Sequence, residues 1–263
     1  MTDMYDVLSS DYDRFVNWPQ RLAYEIPLVT ACLPNGLDGG KAHVLDAACG
    51  TGQHTIALAK LGYSAAGADI SPEMVHIAKL HAAQTGISSI PFKIAGFGQL
   101  QQAFARENTP TQFDALLCLG NSLPHIIDEA SLAQALADFH ACLRPGGVLL
   151  IQNRNFDAVM VNQTRWMEPQ AYREEKREWL FIRFYDFEAD GLIRFNILTL
   201  TREGAGTWQQ RHTHTRLMPQ RMRMLVRAIE SAGFRVQRQM GDLSGSPFNP
   251  ESSTNAVILA EKQ

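Results

Sequence analysis

Between residues 42 and 155, short apolar runs alternate with longer segments in which apolar side chains recur every three or four positions. The runs AHVLDA, SAAGADI, PFKIAGF, FDALLCLGN and VLLIQNRN have the length and continuity of buried strands. GQHTIALAKLG, SPEMVHIAKLHAAQTG and EASLAQALADFHACL carry the helical period. The second of these helices is well punctuated: Ser71 can cap it, Pro72 suits its first turn and Gly86 its exit. The third is closed by the turn Arg144-Pro145-Gly146-Gly147. Strands alternating with helices predict a parallel sheet covered on both faces. Such sheets bind ligands beyond the carboxyl ends of their strands. That singles out residues 46–52, 69, 95–97, 119–125 and 153–155.

After Asn155 the pattern changes. Residues 179–218 are rich in β-branched and aromatic side chains, with the hairpin signal Asp190-Gly191 between two such runs. Three antiparallel strands are expected there, as a small inserted sheet. PQRMRMLVRAIESAGF returns to helix, with Pro219 near its start and Gly233 at its exit. FRVQRQM and NAVILAEK read as two closing strands of the main sheet.

Composition narrows the class. The 263 residues suffice for one sizeable core or for one domain with an insertion. A net charge of −3 and the lack of a long Lys/Arg run give no reason to expect nucleic acid or an anionic membrane as partner. No apolar run approaches the length of a membrane span, and the acidic, polar N-terminus is unlike a secretory signal. Cys32, Cys49, Cys118 and Cys142 show no CxxC spacing, which predicts reduced thiols in a cytoplasmic protein without disulfides or zinc.

The chemistry begins at VLDAACGTGQH, residues 44–54, where a strand runs into a glycine loop. A dinucleotide loop would read GxGxxG; Gly50 and Gly52 fit the first two places, but Thr55 stands at the third. No GK[ST] follows either. Asp46, at the mouth of the loop, would repel pyrophosphate and favour a ligand bearing positive charge. S-adenosylmethionine carries an ammonium and a sulfonium and no phosphate. A second acid, Asp69, lies 23 residues further on at the end of the second strand, where an acid takes up ribose hydroxyls. The bland alternative is that the glycines make a tight turn and Asp69 caps the next helix.

LDAACGTG, ADISPEM and LRPGG together resemble the class I S-adenosylmethionine-dependent methyltransferases, over residues 41–155 and the closing strands. CLGNSLPHI and LRPGGVLLIQNRNFD are similar to the matching segments of the glycine/sarcosine N-methyltransferases, and the likeness extends loosely through RFYDF to SPFNPESS. The resemblance implies an α/β, Rossmann-like, doubly wound sheet of seven mostly parallel strands, the last antiparallel. Residues 41–155 and 216–263 would form the core, 1–40 a helical lid, and 156–215 the inserted antiparallel sheet that completes it. It further implies that Asp46, Ala48 and Gly50, with Gly52 in the same loop, border the methionine part of the cofactor. Asp69, next to Ile70, would hold the ribose, and Met74 would pack on the adenine. Gly96 and Phe97 would border the adenine from the other side, where the relatives carry a polar residue and Trp. Leu119 and His125 would line the cofactor, and Arg21 would reach its carboxylate.

Other polar residues admit two readings. Asn121 follows a strand and can simply make a turn, and Arg154 can be a solvated strand end. Yet both stand at the ligand edge of the sheet, Arg154 between Asn153 and Asn155. His125 can also be a satisfied histidine at a helix start. Tyr5, Tyr12 and Tyr172 are candidate lid or pocket residues. His212 and His214 share one strand face, as exposed residues rather than metal ligands.

The expectation is therefore a methyltransferase that uses S-adenosylmethionine, releases S-adenosylhomocysteine and needs no metal. Its partner is a small molecule, with the amine of an amino-acid-like metabolite as acceptor, and Asn121, Arg154 and Tyr172 as the candidate catalytic set. Methylation of oxygen, sulfur or carbon on another metabolite is the alternative within enzymes, and a non-catalytic cofactor-binding protein the alternative outside them. A homo-oligomer is left open.

Overall fold

A computed structural model describes residues 4–36, 39–105 and 112–263, apart from the side chains of Tyr5 and Val7. The tyrosine candidate Tyr5 thus lies outside the described side chains. Five parallel strands form most of the main sheet: β1 (His43–Asp46), β2 (Ser64–Asp69), β3 (Phe92–Ile94), β4 (Phe113–Cys118) and β5 (Leu143–Arg154). The closing strands are β10 (Phe234–Met240) and β11 (Asn255–Lys262), and the order is β10-β11-β5-β4-β1-β2-β3. β11 runs antiparallel to both its neighbours, so it alone opposes the other six strands.

The apolar runs are continuous because both faces are covered. Leu45, Ala66 and Leu116 pack with Phe139 and Ile229 on one face; Val44, Ala65 and Leu117 pack with Val29 and Leu58 on the other. The first face is covered by α5 (Leu100–Phe104), α6 (Glu129–Cys142) and α8 (Met222–Ser231). The second is covered by α2 (Trp18–Cys32) and α3 (Gln53–Lys60), while α4 (Pro72–Gln84) packs against β2 and β3. Ser71 caps α4 as its sequence suggests, its Oγ accepting from Met74 N at 3.2 Å. Among the described residues no helix is long and apolar enough to cross a membrane.

Two expectations about elements change. The segment Arg144–Gly147 does not precede the fifth strand but lies within it as a bulge, because pairing jumps from Phe113↔Leu143 to Ala115↔Val148. Gly146 takes a φ of 72° there, a conformation that glycine permits at little cost. The inserted sheet has four strands rather than three, in the order β6 (Gln170–Glu174), β7 (Arg177–Phe187), β8 (Ile193–Glu203) and β9 (Gln209–Leu217). β6 is short and polar, and a two-residue turn joins it to β7 with Glu175 at φ 45°, so neither an apolar period nor a glycine marked it.

α1 (Met4–Phe15) lies between the two sheets. Asp6 accepts from Ser71 Oγ at 2.5 Å and Asp13 from Thr51 Oγ1 at 2.7 Å, which ties it to the main sheet. Arg211 donates to Asp11 at 2.5 Å, and Met4 and Leu8 pack on Ile197, which ties it to the insert. The short α7 (Phe156–Asn162) leads from β5 into the insert, capped by Asn155.

Candidate active site

The first cavity, of 430 Å³, opens beyond the ends of β1, β2 and β3. Ala48, Gly50, Asp69, Ile70, Met74, Gly96, Phe97 and His125, all anticipated, line it. Asp69 accepts from Gly50 N at 2.8 Å and from Ser71 N at 3.0 Å, so the acid fixes the glycine loop while facing the cavity. Capping of α4 falls to Ser71 instead. No Lys or Arg is among the lining residues. A ligand bearing positive charge needs none there.

Asp46 answers for the charge at the mouth of the loop. It is buried under the loop, and its Oδ2 accepts from Thr55 Oγ1 at 3.1 Å. Oδ1 is buried and has no hydrogen-bond partner in the structure. Burial pushes its carboxyl above the usual range, against the opposing charges of His54 and Arg21. Asp46 itself does not line the cavity; the Ala48 backbone also stabilises its charged form, so the acid supports the loop from beneath. Gly52, in contrast, serves packing: a Cβ there would stand 2.9 Å from Ala78 Cβ and 3.1 Å from Phe92 Cζ, at a φ of 81°. Leu119 is buried in the core below the site, and it is the next residue, Gly120, that lines the cavity.

Gln99 was not anticipated. Its Oε1 accepts from Gly96 N at 3.3 Å, which places a polar side chain beside the position where Gly96 offers none. His125 is held neutral: burial lowers its pKa to about 4. An unfolded chain takes up a proton near the ordinary value of about 6.5, whereas the folded chain resists it. The stability this provides is complete above about pH 6.5 and is lost as pH falls towards about 4. Urea unfolding at about pH 7 and about pH 5 should therefore show wild type losing about 2 kcal/mol more than His125→Gln. Equal losses would place His125 in a solvated setting.

A second cavity, of 920 Å³, adjoins the first, since Tyr12 and Gly120 line both. It lies between the ends of β4 and β5, the N-terminal helices and the inner face of the insert. Asn121 and Arg154 both line it. Asn121 adopts a φ of 64°, which Asn tolerates better than most residues, and its N–H donates to Gln152 O at 3.1 Å. Its Oδ1 accepts from Arg154 N at 2.8 Å, so the side chain stitches β4 to β5 and positions Arg154. Arg154 Nε is buried without a hydrogen-bond partner, and the guanidinium contacts Tyr185. Arg183 and Tyr185 line the same cavity from β7. Burial raises the pKa of Tyr185 and of Tyr12, so both stay neutral.

Arg21 lies in this second cavity, not the first. Its Nε donates to Glu25 Oε1 at 3.0 Å, and Glu25 Oε2 stands 2.6 Å from His54 Nε2. Burial alone would raise Glu25, but His54 and Arg21 hold its carboxyl below the usual range. Tyr172 does not reach either cavity. It pairs opposite Trp179 on the same sheet face as Gln170 and Arg183, but stands further along the edge strand β6, 38% exposed, with its ring packed on Trp179 at 5.9 Å. Tyr12, from α1, holds the tyrosine position at the junction of the cavities. His212 hydrogen-bonds Asn196 at 2.9 Å, and no group of metal-binding side chains occurs among the described residues.

Comparison with known proteins agrees with this geometry. A family model described as a methyltransferase domain matches residues 44–147. The chain is 28% identical over 258 residues to a glycine/sarcosine N-methyltransferase of Parasynechococcus marenigrum, covering 96% of this chain and 82% of that protein. It is 34% identical over 122 residues to a ubiquinone biosynthesis O-methyltransferase of Xylella fastidiosa, 46% of each chain. Among solved structures, an S-adenosylmethionine-bound amino pentose methyltransferase from Micromonospora echinaspora superposes with a TM-score of 0.69 at 19% identity, covering 98% of this chain and 97% of that one. That likeness concerns the fold.

Proposed function

Because the chain belongs to the S-adenosylmethionine-dependent methyltransferases, we propose that it methylates the amine of a small metabolite that carries a carboxylate, of the glycine or sarcosine kind. One observation carries the reading: the partly buried guanidinium of Arg154, its Nε without a hydrogen-bond partner, lines the cavity that adjoins the cofactor site. A planar fork of donors suits a carboxylate. The alignment with the glycine/sarcosine relative also runs through the insert that shapes this cavity, since it spans 96% of the chain.

S-adenosylmethionine, when bound, supplies a methyl group on a positively charged sulfur. Asp69 would accept hydrogen bonds from its ribose hydroxyls, Met74 would pack on its adenine, and the loop at Ala48 and Gly50 would border its methionine part. The amine lone pair forms the N–C bond as the S–C bond breaks; the sulfur keeps the electron pair, and one amine proton leaves to water. The amine must first be uncharged. Nearby guanidinium groups lower the pKa of an ammonium, so Arg154 and Arg183 favour the reactive form without a dedicated base. Walls from α1 and the insert keep the nucleophile aligned and shielded from water.

Neutralising the substrate tests the reading without altering the protein. Glycinamide in place of glycine, and the amide of sarcosine in place of sarcosine, should be methylated with kcat/KM at least about tenfold lower, the loss of a hydrogen bond to a charged group. Amides that react as well as the acids would refute a carboxylate anchor.

A further inference from the structure

Arg154 is not the only arginine of the acceptor cavity without a countercharge. Arg183 and Tyr185 alternate with outward residues along β7, so both face inward. Arg183 Nε is buried and lacks a hydrogen-bond partner, as Arg154 Nε does. The guanidinium carbon lies 5.3 Å from the centre of the Phe15 ring, an aromatic support from α1. Burial and the charge of Arg154 both hold Arg183 below the usual guanidinium range, so the two cations sense each other.

Neither has an ion-pair partner among the described residues. Elsewhere on the insert, Arg165, Arg194, Arg202 and Arg216 each pair with a carboxylate. Of the carboxylates lining the cavity, Glu25 is engaged by Arg21 and His54, and Glu168 stands exposed at the rim. Tyr12 and Tyr185 are neutral. Two partly buried like charges without a counter-ion are costly to keep, and anions arriving with a ligand offset that cost. The forks belong to different elements, β5 and β7, so a single small carboxylate leaves one of them unanswered. The cavity, at 920 Å³, lies in the range of about 300–1,000 Å³ that accepts molecules much larger than glycine.

We infer that the preferred acceptor is an amine with two anionic groups, one beside the amine held by Arg154 and a second, distal one held by Arg183. This deepens the proposed function and rests on its carboxylate-bearing amine. The class comprises amino dicarboxylates and amino acids with a distal phosphate; both present the same charge pattern to the two forks.

Wild-type enzyme decides the matter. Its kcat/KM is measured for glycine and alanine against aspartate, glutamate and O-phosphoserine, the last separating phosphate from carboxylate. In parallel, acetate and glutarate are titrated calorimetrically into the enzyme saturated with S-adenosylhomocysteine. At least one dianionic amine should exceed both monoanionic ones about tenfold, and glutarate should bind about tenfold tighter than acetate. In Arg183→Met both ratios should fall at least fivefold, with Arg183→Lys in between. Equal values for mono- and dianionic ligands in wild type overturn the inference; if glycine is still methylated and needs Arg154, the proposed function survives. No methylation of any amine would remove both.

Discussion

Arg154→Ala is expected to lower kcat/KM for the acceptor by about 10- to 150-fold, the loss of about 1.5–3 kcal/mol of charge-assisted hydrogen bonding in the transition state. The residue ends β5, where its N–H donates to Asn121 Oδ1 at 2.8 Å and its backbone pairs with Asn255 of β11. The guanidinium is therefore delivered from rigid elements rather than from a loop. Arg154→Lys keeps the charge but not the planar fork and should remain impaired. Cofactor affinity should barely change, because Arg154 lines only the second cavity. Steady-state kinetics with the acceptor varied, together with calorimetry for the cofactor, check both halves. Turnover of Arg154→Ala at the wild-type rate would remove Arg154 from the acceptor site.

Asp69→Ala should weaken S-adenosylmethionine binding at least about tenfold. Two ribose hydroxyls would lose a charged acceptor, each such bond contributing about 1.5–3 kcal/mol. A second effect follows from the geometry. Gly50 N and Ser71 N both donate to this carboxylate, so its removal also frees the glycine loop. Asp69→Asn retains the shape and loses the charge, and should fall between the two. Calorimetry on folded variants reads the effect, and an unchanged dissociation constant would exclude Asp69 from cofactor binding.

The main sheet was legible because its signals are local. Continuous apolar runs, a helix cap at Ser71 and glycines at helix exits each mark an element without reference to the rest of the chain. The glycine loop was legible for the same reason, since strand, acid and glycines are contiguous. What was hidden depends on pairing across long sequence separations. Tyr172 and Arg183 are both polar residues on the same face of the insert, and only the pairing along the strands decides which reaches the second cavity: Tyr172 pairs opposite Trp179, beyond its edge, while Arg183 lines it. Gln99 had no motif to announce it, because its place beside Gly96 comes from a turn closed by Gln99 N donating to Gly96 O at 3.1 Å. Asn121 lines the second cavity, and that its Oδ1 also accepts from the Arg154 backbone depends on how β4 and β5 meet. Asp46 stands out in the sequence as an acid before a glycine loop, and in the structure it lies buried beneath that loop. Its support from Thr55 Oγ1 could be seen only once the loop and α3 were placed together.

The central claim, that this methyltransferase acts on a carboxylate-bearing amine held at Arg154, is tested most directly by following the methyl group. Enzyme and methyl-labelled S-adenosylmethionine are incubated with a mixture of small amines, alcohols and thiols, each with and without a carboxylate, and the products are read by mass spectrometry. The account predicts label on the nitrogen of amines that bear a carboxylate, and its loss in Arg154→Ala. Label on oxygen, sulfur or carbon of an acceptor with no anionic group would contradict it.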